Sequence, residues 1–275
     1  MKYLCKNLEI IPSEIATVSA LSSAVFYGYG VFTTIAIFNQ KPFQWDLHLQ
    51  RLQENAERLR IKIPFDEGLI KSALLDLITK NELIDGKARI TIFEEEAPSM
   101  WSAANMRQPC VLITTAANRS QANEMKLTIS SHPVNSKSSL RGIKSCNYLE
   151  NLLELEAAKT KGFDEALRLN ENSKVVSACM ANIFWIDGEN VYTPSAETGC
   201  LQGTTRAFVI ELCRSHGFDV YTTFATIDEL LRADEVFLTS AGLGITPVRK
   251  IADHFFENYQ TENLRKAFEK IVSSL

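Results

Sequence analysis

The chain has 275 residues, of which 45% are hydrophobic and 23% charged, with a formal net charge of -4. That balance is ordinary for a globular protein and excludes disorder over most of the length. The absence of a basic surplus or of any Lys/Arg-rich run sets aside nucleic acid as a partner.

The opening MKYLCKNLEIIPSE is interrupted by Lys6, Asn7 and Glu9, so no signal-peptide core forms. No apolar run approaches the roughly 20 residues that a membrane helix needs, so no membrane partner is expected. The six cysteines, Cys5, Cys110, Cys146, Cys179, Cys200 and Cys213, are scattered without a CxxC pair. They predict reduced thiols in a cytoplasmic protein, with no metal site and no disulfide framework.

In chain order, Val31 to Phe38 (VFTTIAIF) is rich in β-branched and aromatic residues and predicts a strand, followed by a turn over 39–42. Leu47, Leu49, Leu52, Ala56 and Leu59 recur at helical spacing, with Asp46 expected as the N-cap. A second helix is predicted over 70–78, and strands over 88–93 and 111–115. The polar AANRSQANE, residues 116–124, is the best linker candidate.

Beyond it a strand is predicted over 126–130, and a Ser/Asn/Lys-rich loop over 134–139. The segment 147–160 predicts a strongly amphipathic helix that Gly162 ends. Strands are predicted over 165–169, 174–176, 181–186, 191–193, 235–239 and 245–250. A helix over 204–215 is closed by Gly217, and residues 267–272 fall in a terminal helix. Both halves mix strands and helices. The expected architecture is α/β (α+β) in two domains: a small one over 1–115, a linker over 116–124, and a larger one over 125–275. The site is expected in the cleft between them, where ligands commonly bind.

Four segments carry the chemistry, and each alone has an ordinary alternative. In HLQRL, Arg51 has the forked donor geometry that suits a phosphate, although it could equally lie on the solvated helix face. In RGIKSCN, Lys144 stands between apolar Ile143 and a helix start. Partial burial there would lower the pKa of its amine, whereas a surface lysine would not be perturbed. In VSACMANIFW, small residues precede an apolar strand. They would let a flat ring approach the backbone, or simply form a tight turn. In GCLQGTTR, a glycine and two threonines open a helix. That is a ready anion site, or a mere N-cap.

Taken together, the order and spacing of these segments resemble the fold-type IV pyridoxal-phosphate enzymes, the class IV aminotransferases. The correspondence runs from about Val25 to Val248. It rests on FYGYGVFTTIAIF, HLQRL, GIKSCNYLENLLE, DEAL, ANIFW, VYTP, CLQGTTR and TSAGLGITPV. The resemblance implies pyridoxal 5'-phosphate as cofactor, with Lys144 as the Schiff-base lysine and proton shuttle. It implies Arg51, Thr204, Thr205, Ser240 and Ala241 around the phosphate, Ser177 and Ala178 beside the pyridine ring, and Thr33 and Thr34 near the substrate. A homodimer is implied as well.

Three positions depart from the family pattern. Ser177 stands where a glutamate usually pairs with the protonated ring nitrogen, which implies a neutral nitrogen and a weaker electron sink. A hydrogen bond to a charged group is worth roughly 1.5–3 kcal/mol, against roughly 0.5–1.5 for a neutral one. Elimination should suffer less from that loss than transamination. Glu94 stands near a usual substrate-binding arginine, so Arg89 or a residue within 99–106 would have to replace it. Tyr29 replaces a common aspartate.

Within the family, FTTIAIF, ANIFW and VYTP followed by GTTR look most like aminodeoxychorismate lyase, which releases 4-aminobenzoate and pyruvate in folate biosynthesis. The expected function is that lyase. The alternatives are a branched-chain or D-amino acid aminotransferase and a catalytically weakened cofactor-binding homologue.

Overall fold

The residues placed in space by the computed structural model are 1–96, 108–118 and 122–275. They divide into two units. One comprises Met1–Arg119 with Ile143–Tyr148 and Leu275, and the other Ser120–Gly142 with Leu149–Ser274. The short segment around Lys144 thus belongs with the first unit, although it lies beyond the linker in sequence.

The first unit contains β1 (Tyr3–Lys6), β2 (Glu9–Pro12), α1 (Ser23–Tyr27), β3 (Gly30–Phe38), β4 (Lys41–Pro42), α2 (Trp45–Arg58), α3 (Glu67–Lys80), β5 (Gly86–Glu96) and β6 (Gln108–Ala117). Its strands form one sheet in the order β2-β1-β6-β5-β3-β4. β3 does not alternate in hydropathy because it is covered on both faces, so Val31 and Ile35 on one side and Phe32 and Ala36 on the other are all buried. Helices α2 and α3 add Leu52, Leu74 and Leu77 to the core. Burying such a side chain contributes roughly 1.5–3 kcal/mol.

Some expected boundaries change. Helix α2 begins at Trp45 with Gln44 as its N-cap, so Asp46 lies in the first turn, where its charge favours the helix dipole. The tail of the expected 39–42 turn is the short strand β4. The β1–β2 hairpin escapes a sequence reading because its two-residue turn is Asn7-Leu8, both at positive φ (50° and 71°). Leucine is not a residue that advertises such a turn. Of the expected linker, Ala116 and Ala117 belong to β6, and residues 119–121 lie outside the described set.

The second unit contains β7 (Met125–Ile129), α4 (Leu149–Thr160), β8 (Glu165–Leu169), β9 (Val175–Ala178), β10 (Asn182–Asp187), β11 (Asn190–Pro194), α5 (Thr204–Ser215), β12 (Asp219–Thr223), α6 (Ile227–Leu230), β13 (Glu235–Ser240), β14 (Gly244–Ile251), β15 (His254–Phe255) and α7 (Tyr259–Ser273). The sheet runs β12-β11-β10-β13-β14-β7-β8-β9, with β15 on β14. Its core holds Leu127, Leu167, Val175, Ile183, Val236, Leu238 and Val248. Helix α4 is not the amphipathic element expected. Only Glu154 and Ala158 are buried, and Leu149, Leu152 and Leu153 face outward.

The turn joining β9 to β10 is held from below by Glu165. Its carboxylate accepts from the backbone N–H of Cys179 at 3.0 Å and of Met180 at 3.1 Å. Burial pushes its pKa up to about 7 against the opposing effect of these hydrogen bonds. Replacing Glu165 with alanine leaves both amides without their acceptor. The cost should be ~1–3 kcal/mol for each donor that water cannot reach, read as a lower denaturant midpoint in equilibrium unfolding.

Candidate active site

Residues 144–146 lie as an added edge beside the first half of β3. Phe32 N–H donates to the Lys144 carbonyl at 2.9 Å, and Cys146 N–H to the Gly30 carbonyl at 2.8 Å. Val31 and Ser145 form the antiparallel bridge between them. This register sets Lys144 opposite Phe32, so their side chains share a face. The Lys144 Nζ lies 4.6 Å from the Phe32 ring centre and 4.9 Å from that of Tyr148, with the Tyr148 hydroxyl at 3.5 Å. The two rings meet edge to face at 5.4 Å. Arg89, paired with Thr34 across the β3–β5 ladder, stacks its guanidinium 3.6 Å from the centre of Phe32.

Lys144 is half-buried, but its amine is enclosed. Its pKa is brought down to about 7, first by loss of water and then by the positive charges of Arg51 and Arg89. The amine is therefore substantially neutral near neutral pH, as a nucleophile or a base must be.

The two threonines of β3 part company. Thr34 shares the Phe32–Arg89 face by strand alternation. Thr33 points to α2 and is fully buried, with its hydroxyl 2.7 Å from His48 Nδ1 and accepting from Arg51 Nη2 at 2.8 Å. Burial, then Arg51 and Lys144, bring His48 down to about 3, so its ring is neutral. The network closes when Thr33 donates to Nδ1 and His48 carries its proton on Nε2. Arg51 is lowered to about 10 by burial and stays cationic at neutral pH. Thr33 and His48 thus position Arg51. The sequence pointed to Thr33 but not to this role for His48, although both histidine and arginine stand in HLQRL.

In the second unit, α5 begins at Thr204 with Gly203 as N-cap. Gly203 brings no capping side chain, and no acidic residue lies in the first turn. This end carries the positive pole of the helix dipole. Thr204 and Thr205 are both buried at this end. A Cβ on Gly203 would lie 2.1 Å from Asn182 Oδ1 and force that side chain to move, and Asn182 is held by donating to the Leu201 carbonyl at 2.7 Å. The loop is fixed further by Arg206, whose guanidinium donates to Thr193 Oγ1, Gln202 Oε1 and the Pro194 carbonyl.

Ser240 closes β13. Its oxygen accepts from the N–H groups of Gly242 and Leu243 at 3.2 and 3.1 Å, so its own proton is left to donate. Ala241 follows in the same partly buried turn. Ser177 and Ala178 lie at the end of β9, Ser177 half-buried and Ala178 buried. Glu94 is a buried residue inside β5, only 2% exposed, and not in a loop after the strand. Residues 99–106 lie outside the described set. Tyr29 donates its hydroxyl to the Leu59 carbonyl at the C-cap of α2, pinning the chain that enters β3 to the helix bearing Arg51.

The pattern of the class IV amino-transferases matches residues 30–251, and the chain belongs to that family. An aminodeoxychorismate lyase of Bacillus subtilis is 29% identical over 86% of this chain and 83% of its own. A D-alanine aminotransferase of Bacillus licheniformis is 30% identical over 82% of this chain and 80% of its own. Among solved structures, a T.th. branched-chain amino acid aminotransferase with pyridoxamine 5'-phosphate superposes with a TM-score of 0.92 at 26% identity, covering 99% and 94% of the two chains. The fold is thus the two-domain α+β architecture of these enzymes, and the chain is an enzyme of the pyridoxal-phosphate-dependent class IV.

The residues fit that cofactor. The charged neighbours acting on the Lys144 amine are both cations, a grouping that favours an anionic ligand. A neutral amine is the form that can condense with an aldehyde.

The pKa of Lys144 has a direct consequence. The rate at which cofactor-free protein takes up pyridoxal phosphate, followed by absorbance, should rise with pH through about 7 and level off above it. Replacing Arg89 with leucine removes a charge that disfavours the ammonium. The Lys144 pKa then moves up, and the midpoint of the profile shifts to more alkaline pH.

Proposed function

We propose that the enzyme is an aminodeoxychorismate lyase, cleaving aminodeoxychorismate to 4-aminobenzoate and pyruvate. Ser177 carries this reading. It stands where the resemblance implies a glutamate beside the ring, and a neutral hydroxyl there suits elimination better than amino transfer. The lyase relative from Bacillus subtilis supports it.

Lys144 would hold the cofactor, with Arg51, Thr204, Thr205, Ser240 and Ala241 on its phosphate and Ser177 and Ala178 beside its ring. When bound, the cofactor draws off negative charge that develops beside the substrate nitrogen. The neutral Lys144 amine takes the proton from the ring carbon that bears the substrate nitrogen. The enolpyruvyl group leaves as the ring becomes aromatic, and one proton returned to it completes pyruvate. Thr34, on the Lys144 face of β3, is better placed than Thr33 to orient that leaving group, because the Thr33 hydroxyl is committed to Arg51 and His48.

The lyase needs no keto-acid acceptor. Purified enzyme given aminodeoxychorismate alone should yield fluorescent 4-aminobenzoate. Turnover that appears only with a keto acid would favour a branched-chain or D-amino acid aminotransferase, the second reading supported by the Bacillus licheniformis relative. A protein that takes up no cofactor would favour the weakened homologue.

Folate biosynthesis and a cytoplasmic location belong to the same proposal. So does a homodimer, for which the outward Leu149, Leu152 and Leu153 of α4 offer apolar surface. The Lys144→Ala variant should lose both turnover and the borohydride-fixed cofactor adduct seen by mass spectrometry in the parent enzyme.

A further inference from the structure

Among the described residues of the second unit Arg168 is the largest side chain to be fully enclosed, at 1% exposure, and it stands next to the end of β8. Strand β8 pairs antiparallel with β9, and the residue directly opposite Arg168 is Ser177. Facing residues in such a ladder have Cα atoms about 4.5–5.5 Å apart and side chains on one face.

The guanidinium has five donors and no acceptor. Nη1 donates to Asn151 Oδ1 at 3.0 Å, and Nη2 pairs with Glu150, whose own side chain is 65% exposed. Nε is buried without a hydrogen-bond partner among the described residues. A second carboxylate, Glu154, which accepts from Ser130 and faces His132, also attracts the guanidinium. A buried guanidinium, its Nη atoms engaged on α4, therefore lies opposite Ser177 in the ladder, with its Nε donor unpartnered among the described residues.

We propose that Arg168 keeps the ring nitrogen of the bound cofactor unprotonated. The inference rests on the reading that Ser177 lies beside that ring. A pyridine nitrogen can accept a hydrogen bond only when it is unprotonated. A guanidinium nearby offers donors alone and disfavours a second positive charge. The exchange of a glutamate for Ser177 and the placement of Arg168 then act in one direction. Both weaken the electron sink, and both bias the enzyme from amino transfer toward elimination.

The test is the nitrogen itself. The holoenzyme is reconstituted with pyridoxal phosphate labelled with 15N in the ring, and its resonance is compared with those of the free cofactor in acid and in alkali. The wild-type resonance should lie at the unprotonated position. Ser177→Glu alone should leave it there, because the new carboxylate pairs with Arg168. Ser177→Glu combined with Arg168→Leu should move it upfield to the protonated position.

A protonated nitrogen in the wild-type enzyme overturns the inference without any variant. A protonated nitrogen in Ser177→Glu alone removes Arg168 from control and overturns it too. Failure to retain the cofactor at all, with no borohydride-stable adduct on Lys144, sinks the functional reading and this inference with it. Retention with a protonated nitrogen sinks only the inference.

Discussion

Two backbone hydrogen bonds tie residues 144–146 to the edge of β3, and the chemistry of the first unit depends on them. They place the Lys144 side chain opposite Phe32, between two aromatic rings and near Arg51 and Arg89. The approach is close enough to dictate composition. A Cβ on Gly30 would come within 2.9 Å of Phe93 Cβ and 3.0 Å of Cys146 Sγ, so only glycine admits the neighbouring chain. A slip of one residue in this pairing would turn the amine to the other face, away from Phe32 and toward the Thr33 side.

The charge pattern follows from that placement. Burial alone lowers the pKa of a lysine, and cations nearby lower it further. Arg51 serves in part because it is held: Thr33 accepts from it, a neutral His48 faces Thr33, and Tyr29 ties the entry of β3 to the end of the same helix. In the second unit the positive character has another origin, the dipole at the start of α5, where no acid lies in the first turn. One unit thus supplies side-chain cations and an amine, and the other backbone donors and hydroxyls.

The departures from the family pattern now have physical settings. Tyr29 has a structural task at the end of α2. Glu94 is part of a strand. Ser177 faces Arg168 across a ladder, so a hydroxyl and a buried guanidinium share one local setting.

Much of this was legible in the linear chain. VFTTIAIF, the 204–215 helix and the 165–169 strand stand where their periodicity and turn residues place them, because local propensity and burial agree there. Lys144 and Arg51 could be singled out because few residue types can do their chemistry and their segments occur in family order. The β1–β2 hairpin was not legible, since Asn7-Leu8 takes positive φ without glycine. The exposed face of α4 was not legible either, since spacing reveals an apolar stripe but not whether anything covers it.

Residue types and their order therefore determined the family and singled out a candidate amine and candidate phosphate groups. Tertiary structure alone decided that Thr33 and Thr34 serve different faces, that His48 supports Arg51, and that Arg168 meets Ser177. Each of these depends on strand register and on packing between distant segments, which one-dimensional spacing does not encode.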